Sequence, residues 1–217
     1  MITANEVRKG IVDNLFDSLK KEGFKRVKNY FTNKGEDFSS TIFTSLVSGD
    51  HEYPTSFSFW VESKKVSQIL KIAFQEPHGQ NSSMVLVALT QSMVFKMKPK
   101  EFIINTEEDI TIMCNKVMEY LETEGFRFFK EYQNYEKILF EMKSTPFGLF
   151  YGQGFVTWSL NALVISKMLD DQDYNLLVQK YIGYCEEYNL GDYLINKLKV
   201  LDEFLKDKSS KELLSCW

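Results

Sequence analysis

The sequence predicts an α+β fold: an N-terminal helix, a four- or five-stranded antiparallel meander, then an all-helical C-terminal half packed against it. Three observations carry that expectation. Apolar residues recur every four positions from Val7 to Leu19, the spacing of one helical face. Between Phe38 and Val61 the apolar period shortens to two, as in a half-buried strand. After Asn105 the helical period returns and persists to Leu205. No proline-rich or low-complexity linker divides the chain, so 1–217 reads as one domain, with helix and sheet in 1–104 and the helical half in 105–217.

The first helix carries Val7, Ile11, Leu15 and Leu19 on one stripe, with Val12 and Phe16 beside it. Gly23 suits the left-handed residue that ends a helix, and Phe24 can fold back on the last turn. FKRVKNYF reads as a strand turned by Asn33-Lys34-Gly35. In DFSSTIFTSLV, Phe38, Ile42 and Leu46 share one side, Phe43 and Val47 the other. TSFSFWVE places Phe57, Phe59 and Val61 inward, and Ser56, Ser58, Trp60 and Glu62 outward. VSQILKIAF reads as the next strand, with Val66, Leu70, Ile72 and Phe74 on one face and a short helix as the alternative. MVLVALTQSMVF is a further strand or strand pair.

In the helical half, Thr106 and Asp109 sit where an N-cap should, and Glu107, Glu108 and Asp109 suit a helix N-terminus. The stripe Ile110, Met113, Val117, Tyr120, Leu121 is expected to end at Gly125. A short helix covers Tyr135 to Met142. VTWSLNALVISKML is apolar almost all round and is expected to be buried, with Ser159, Ala162 and Ser166 as a small-residue stripe. Asp171 and Asp173 are expected to cap a helix bearing Tyr174, Val178, Tyr181, Cys185 and Tyr188 on one face. A last helix carries Leu194, Leu198, Leu201 and Leu205. LKKEGFK from Leu19 echoes LETEGFR from Leu121, as one helix ending used twice or as the trace of a duplication.

Composition narrows the function. The net charge is −4, with 14 Lys+Arg against 10 Asp+Glu in residues 1–100 and 12 against 20 in residues 101–217. The acidic half suits a basic protein partner or a solvated helical surface. The first twenty residues lack the apolar core of a signal peptide, and no apolar run approaches the ~18 residues that span a bilayer. No membrane association is expected. Cys114, Cys185 and Cys216 show no CxxC spacing, which points to reduced thiols and a cytoplasmic location.

The search for chemistry is mostly negative. The chain has two histidines, no G-x-S-x-G, no H-E-x-x-H and no phosphate-binding G-x-x-x-x-G-K-[ST], and no cofactor is called for. Asp50, His51 and Glu52 follow the second predicted strand, and His78 follows the fourth. In an up-down meander those loops share an edge, where imidazole and carboxylate make a divalent-metal set; solvated hairpin residues are the alternative. The segment TPFGLFYGQGFVTW offers Gly152 and Gly154, with Tyr151 and Trp158, as a ligand loop at a helix start. Its aromatics also suit a buried joint, which the lack of a third glycine at Thr157 favours. Lys20, Lys21, Lys25, Arg26 and Lys28 form a basic cluster with Phe24 and Tyr30 interleaved. The acidic pI of about 5.4 disfavours nucleic acid as its partner. Cys185 reads as a small buried hydrophobe, and Trp217 ends an apolar tail that docks on the body or awaits a partner.

LKKEGFKR with Tyr30-Phe31, SFSFWVE, and VMEYLETEGFRFFKEYQNYEKIL together resemble the bacterial family called domain of unknown function 4304, over roughly residues 5–142. The resemblance implies a small cytoplasmic α+β protein of bacterial type and transfers no catalytic residue. The expected function is a non-enzymatic protein-binding module, immunity-like in character, acting through the acidic helical surface or the outer face of the sheet. The alternative is a small-molecule-binding protein or enzyme with a pocket between sheet and helices.

Overall fold

The computed structural model describes residues 2–28, 30–47, 52–75, 84–95, 102–144 and 154–215. It is α+β, with an N-terminal helix, an antiparallel sheet and a helical C-terminal half. Among the described residues six strands pair, in the order β1 (Lys25–Val27), β2 (Tyr30–Lys34), β3 (Phe38–Leu46), β4 (Tyr53–Ser63) and β5 (Met84–Thr90), with β6 (Phe102–Ile104) on β4. Contacts divide the chain into two compact units, Met1–Val61 with Ala88–Gln133, and Glu62–Val87 with Asn134–Trp217.

In the first unit, helix α1 (Ala4–Lys21) opens on a capping box: Glu6 N–H donates to Thr3 Oγ1 at 3.3 Å and Thr3 N–H donates to Glu6 Oε2 at 2.7 Å. These bonds satisfy donors that a helix start leaves orphaned. Val7, Ile11, Leu15 and Leu19 are buried, as the four-residue period requires. The helix ends where expected. Phe24 N–H donates to Leu19 O at 3.0 Å and Gly23 N–H to Lys20 O at 3.1 Å, with Gly23 at φ +82°. This is a Schellman ending, and the left-handed residue at its centre favours glycine.

FKRVKNYF is not one strand. It folds as a hairpin, β1 (Lys25–Val27) against β2 (Tyr30–Lys34), with Lys28 at φ 52° in the connection. A two-residue hairpin turn needs positive φ to match the strand twist, and this overrides the extended preference of the segment. β3 (Phe38–Leu46) and β4 (Tyr53–Ser63) follow. β4 alternates as expected, burying Phe57, Phe59 and Val61. β6 (Phe102–Ile104) pairs with its first residues.

Helix α4 (Glu107–Tyr120) carries the expected cap, Thr106 Oγ1 accepting from Asp109 N–H at 3.2 Å. It packs on α1. It does not stop at Gly125. A π-helical turn (Leu121–Gly125) leads directly into α5 (Phe126–Glu131). The echo of LKKEGFK therefore ends differently: Gly125 stays right-handed at φ −64°. A Cβ there would lie 2.8 Å from Leu121 Cδ2 and 3.1 Å from Tyr120 Cε1, so glycine serves close packing rather than a reversal. The phenylalanines after the two glycines, Phe24 and Phe126, pack together at 6.2 Å.

In the second unit, VSQILKIAF is helix α2 (Lys64–Ala73), not the predicted strand. Ser63 caps it, accepting from Val66 N–H at 3.1 Å. Val66, Ile69, Leu70 and Ala73 are buried at helical spacing, while Ile72 is 42% exposed where a strand would bury it with Leu70. The cap makes a helix available here, and burial of that one face selects it over the strand. MVLVALTQSMVF divides into β5 (Met84–Thr90) and a short helix α3 (Gln91–Phe95), and the chain passes between units inside β5. Helices α6 (Tyr135–Ser144), α7 (Phe155–Met168), α8 (Tyr174–Glu187), α9 (Asp192–Lys206) and α10 (Ser210–Ser215) complete the second unit. Helix α7 is buried from Trp158 to Ser166, the small-residue stripe Ser159, Ala162 and Ser166 included. The leucines of α9 are buried as expected. On α8, Tyr174, Val178, Tyr181 and Cys185 are buried, but the helix ends at Glu187 and Tyr188, its C-cap residue, is 52% exposed.

Asp171 and Asp173 do not act as side-chain caps of α8. They hold Lys143 of α6, with Nζ 3.1 Å from Asp171 Oδ1 and 2.6 Å from Asp173 Oδ2. Asp171 also accepts from the buried Ser166 hydroxyl of α7 at 2.9 Å. Both carboxylates face the Lys143 ammonium, where opposite full charges attract, instead of the first backbone N–H groups of α8. Burial pushes the Asp171 carboxyl up, but hydrogen bonds from Lys143 and Ser166 outweigh it and hold the group below its ordinary value. A depressed carboxyl stabilises the fold fully above its unfolded value, and that contribution is lost as pH falls through the lower folded value. Asp171→Ala is expected to lower unfolding free energy by about 1–3 kcal/mol at neutral pH. Urea midpoints followed downward from about pH 5 should converge for variant and wild type; a gap that persists at pH 2 would exclude this tie as the source.

Candidate functional site

The sequence singles out two candidate sites. Of the proposed ligand loop, Tyr151 and Gly152 lie outside the described residues. Gly154 is exposed and precedes α7, with open space where a Cβ would stand. Trp158 is fully buried inside the same helix, so no ligand reaches it from solvent. Of the proposed metal set, Asp50, His51 and His78 lie outside the described residues, and Glu52 is exposed just before β4. The strand count that put those loops on one edge changes, because helix α2 stands where the fourth strand was expected. No group of three or more metal-binding side chains occurs among the described residues. Cys114 and Cys185 are buried unbridged thiols, and burial pushes Cys114 up to about 12, which leaves it inert as a nucleophile at neutral pH.

A different site lies in the first unit, in a cleft of about 400 Å³ between α1 and the hairpin end of the sheet. That volume is within the range of small-molecule sites. One wall is α1. Arg8, Ile11 and Val12 stand at i, i+3 and i+4, so they share a face at the margin of the buried stripe. The other wall is the sheet. Arg26 pairs with Phe31 and Phe31 with Ile42, so these three side chains lie in a row across β1, β2 and β3 on one face. Thr44 follows two residues along β3 on that same face, and Leu46 two further. Phe16 stacks on Phe31 at 6.4 Å and joins the two walls.

The lining is apolar at its base and cationic at its rim. Ile11, Val12, Phe31 and Leu46 supply hydrocarbon; Arg8, Arg26 and Lys28 supply three positive charges; among the described residues no carboxylate, histidine or cysteine lines it. None of the three cations is ion-paired among the described residues. Arg8 Nη1 donates to Asn5 Oδ1 at 3.3 Å, and Arg26 Nε reaches Lys28 O at 3.5 Å, which leaves most donors of both guanidiniums free for a ligand. Thr44 is 8% exposed, and its hydroxyl has no hydrogen-bond partner among the described residues. A buried hydroxyl left so is costly.

Sequence reasoning found half of this site. Arg26 and Lys28 belong to the basic cluster it recognised, but Lys20, Lys21 and Lys25 do not line the cleft. Arg8 was missed, although its spacing from Ile11 and Val12 was legible.

Comparison with protein-family profiles, curated proteins and solved structures returns no match to the chain. The cleft therefore has to be read from its own chemistry. Its orphaned hydroxyl gives a direct test. Thr44→Val replaces a buried unsatisfied group by a methyl of similar shape, so the urea midpoint of the unliganded protein should hold or rise. A loss above about 1 kcal/mol would mean that the hydroxyl has a structural partner.

Proposed function

We propose that this chain is a non-catalytic binding protein whose first unit takes a small anionic ligand in the cleft between α1 and the β1–β2 hairpin. The observation that carries this reading is three cations, none ion-paired among the described residues, set around an apolar base in one cleft. Cations lining a low-dielectric concavity attract anions more strongly than the same charges on open surface. Among the described residues the lining offers no paired acid and base and no activated nucleophile of the kind catalysis calls for. A cytoplasmic location belongs to the same reading, supported by the unbridged thiols Cys114 and Cys185; among the described residues no helix is long and apolar enough to cross a membrane.

Thermal unfolding in the presence of paired ligands tests it. An apolar acid should raise the midpoint and its neutral amide should not, with a gain of about 2.7 kcal/mol at a hundredfold excess over Kd. The gain should shrink with added salt and vanish in Arg8→Gln/Arg26→Gln. Equal shifts from acid and amide would remove the charge argument.

A second reading, a protein partner, is favoured by the turn between α8 and α9. There Tyr188, Leu190 and Tyr193 are 52%, 43% and 72% exposed beside Glu186, Glu187 and Asp192. Exposed tyrosines ringed by acids fit the anchor of a basic partner. Binding of such a partner should weaken with salt and fall at least tenfold in Tyr188→Ser/Tyr193→Ser, about 1.4 kcal/mol; an unchanged affinity would reject this surface.

A further inference from the structure

We propose that the ligand of the first-unit cleft is a phosphomonoester whose alcohol is a small apolar or aromatic group. This rests on the reading of the cleft as an anion site and goes beyond it in naming the head group and the body.

The head group follows from the charge count. Arg8, Arg26 and Lys28 bring three cations, and the described lining residues bring no anion. A monocarboxylate neutralises one of them and leaves the rest facing each other across a partly apolar cleft. A phosphomonoester near neutral pH carries ~1.5–2 negative charges on three terminal oxygens. That matches two guanidinium forks and one ammonium both in charge and in acceptor number. The guanidiniums come from opposite walls, Arg8 from α1 and Arg26 from β1, while Lys28 stands on the hairpin turn between β1 and β2. A compact head with oxygens pointing in several directions suits donors placed on separate elements better than a flat carboxylate does.

The body follows from the base of the cleft. Ile11, Val12, Phe31 and Leu46 give a hydrocarbon surface that inorganic phosphate cannot cover. Thr44 lines the cleft with its hydroxyl unspent among the described residues. Rotation about its side-chain bond offers that hydroxyl to the ester or phosphoryl oxygen, which turns an unsatisfied group into a donor only when ligand is present.

The experiment is calorimetric titration of the full chain with phenyl phosphate, inorganic phosphate, benzoate and an unphosphorylated single-stranded oligonucleotide. Phenyl phosphate should bind about tenfold or more tightly than inorganic phosphate or benzoate, the effect of one additional charge-assisted contact or of the buried ring. Arg26→Gln should weaken it about tenfold or more and Thr44→Val about threefold or more, while Lys20→Gln, outside the cleft, should leave it unchanged. Each variant is first shown to unfold no lower than wild type when unliganded, and Arg8→Gln replaces Arg26→Gln if that variant is destabilised. Benzoate equal to phenyl phosphate overturns the phosphoryl head and leaves the anion site standing. Inorganic phosphate equal to phenyl phosphate overturns the apolar body. An oligonucleotide that binds more tightly and displaces phenyl phosphate overturns the small-molecule assignment. If none of the anions binds, the anion-site reading fails with it.

Discussion

The reversal at Gly23 is the constraint on which the first unit depends. It closes α1 with two backbone hydrogen bonds and turns the chain at once into β1. Helix and hairpin are therefore neighbours by construction, joined by three residues that leave little freedom. The ring contact of Phe16 on Phe31 sets how α1 lies over the sheet. From Val7 to Leu19 the buried stripe holds the helix down, and the residues at its margin are left at the mouth of a cleft. Arg8 and Arg26 stand far apart from each other along the chain, and this reversal brings them to the same opening.

Two copies of one short pattern show how context governs local structure. LKKEGF and LETEGF share leucine, glutamate, glycine and phenylalanine at the same offsets. After the first, a strand follows and glycine goes left-handed. After the second, the chain stays helical, and the missing Cβ makes room for Leu121 and Tyr120 around a π-helical turn. Glycine permits both results, and the tertiary surroundings select one. The second unit settles its own competition differently. Lys143 draws Asp171 and Asp173 away from capping and ties α6 to the segment between α7 and α8. The α7 hydroxyl of Ser166 joins the same carboxylate, so one charged cluster fixes three successive parts of the helical unit.

The cleft was partly legible in the sequence. The positive cluster around Lys25 and Lys28 was visible as charge, and the adjacency of Arg8 to Ile11 and Val12 was visible as helical spacing. What hid the site was the hairpin. Read as a single strand, FKRVKNYF spreads Arg26 and Lys28 along one edge. Folded at Lys28, it places Arg26 in a row with Phe31 and Ile42 and sets Lys28 at the turn. Thr44 could not have been singled out at all. A threonine in a strand is ordinary until the surrounding atoms show that its hydroxyl is enclosed without a partner. The aromatic segment Thr145–Trp158 read more readily as a buried joint than as a ligand loop, and the burial of Trp158 agrees with the joint.

By itself the sequence determined the fold class, the buried stripes of α1, α4, α7 and α9, the caps at Thr106 and Gly23, and the alternation of β4. Each of these rests on a periodicity or a backbone preference confined to a few neighbouring residues. Only the tertiary structure decided that VSQILKIAF is a helix, that FKRVKNYF is a hairpin, that Gly125 continues a helix, and that Arg8, Arg26 and Lys28 meet around an apolar base. The physical reason is the same in every case. Short segments have nearly balanced local preferences, and the free energy that tips them comes from contacts with residues distant in the chain.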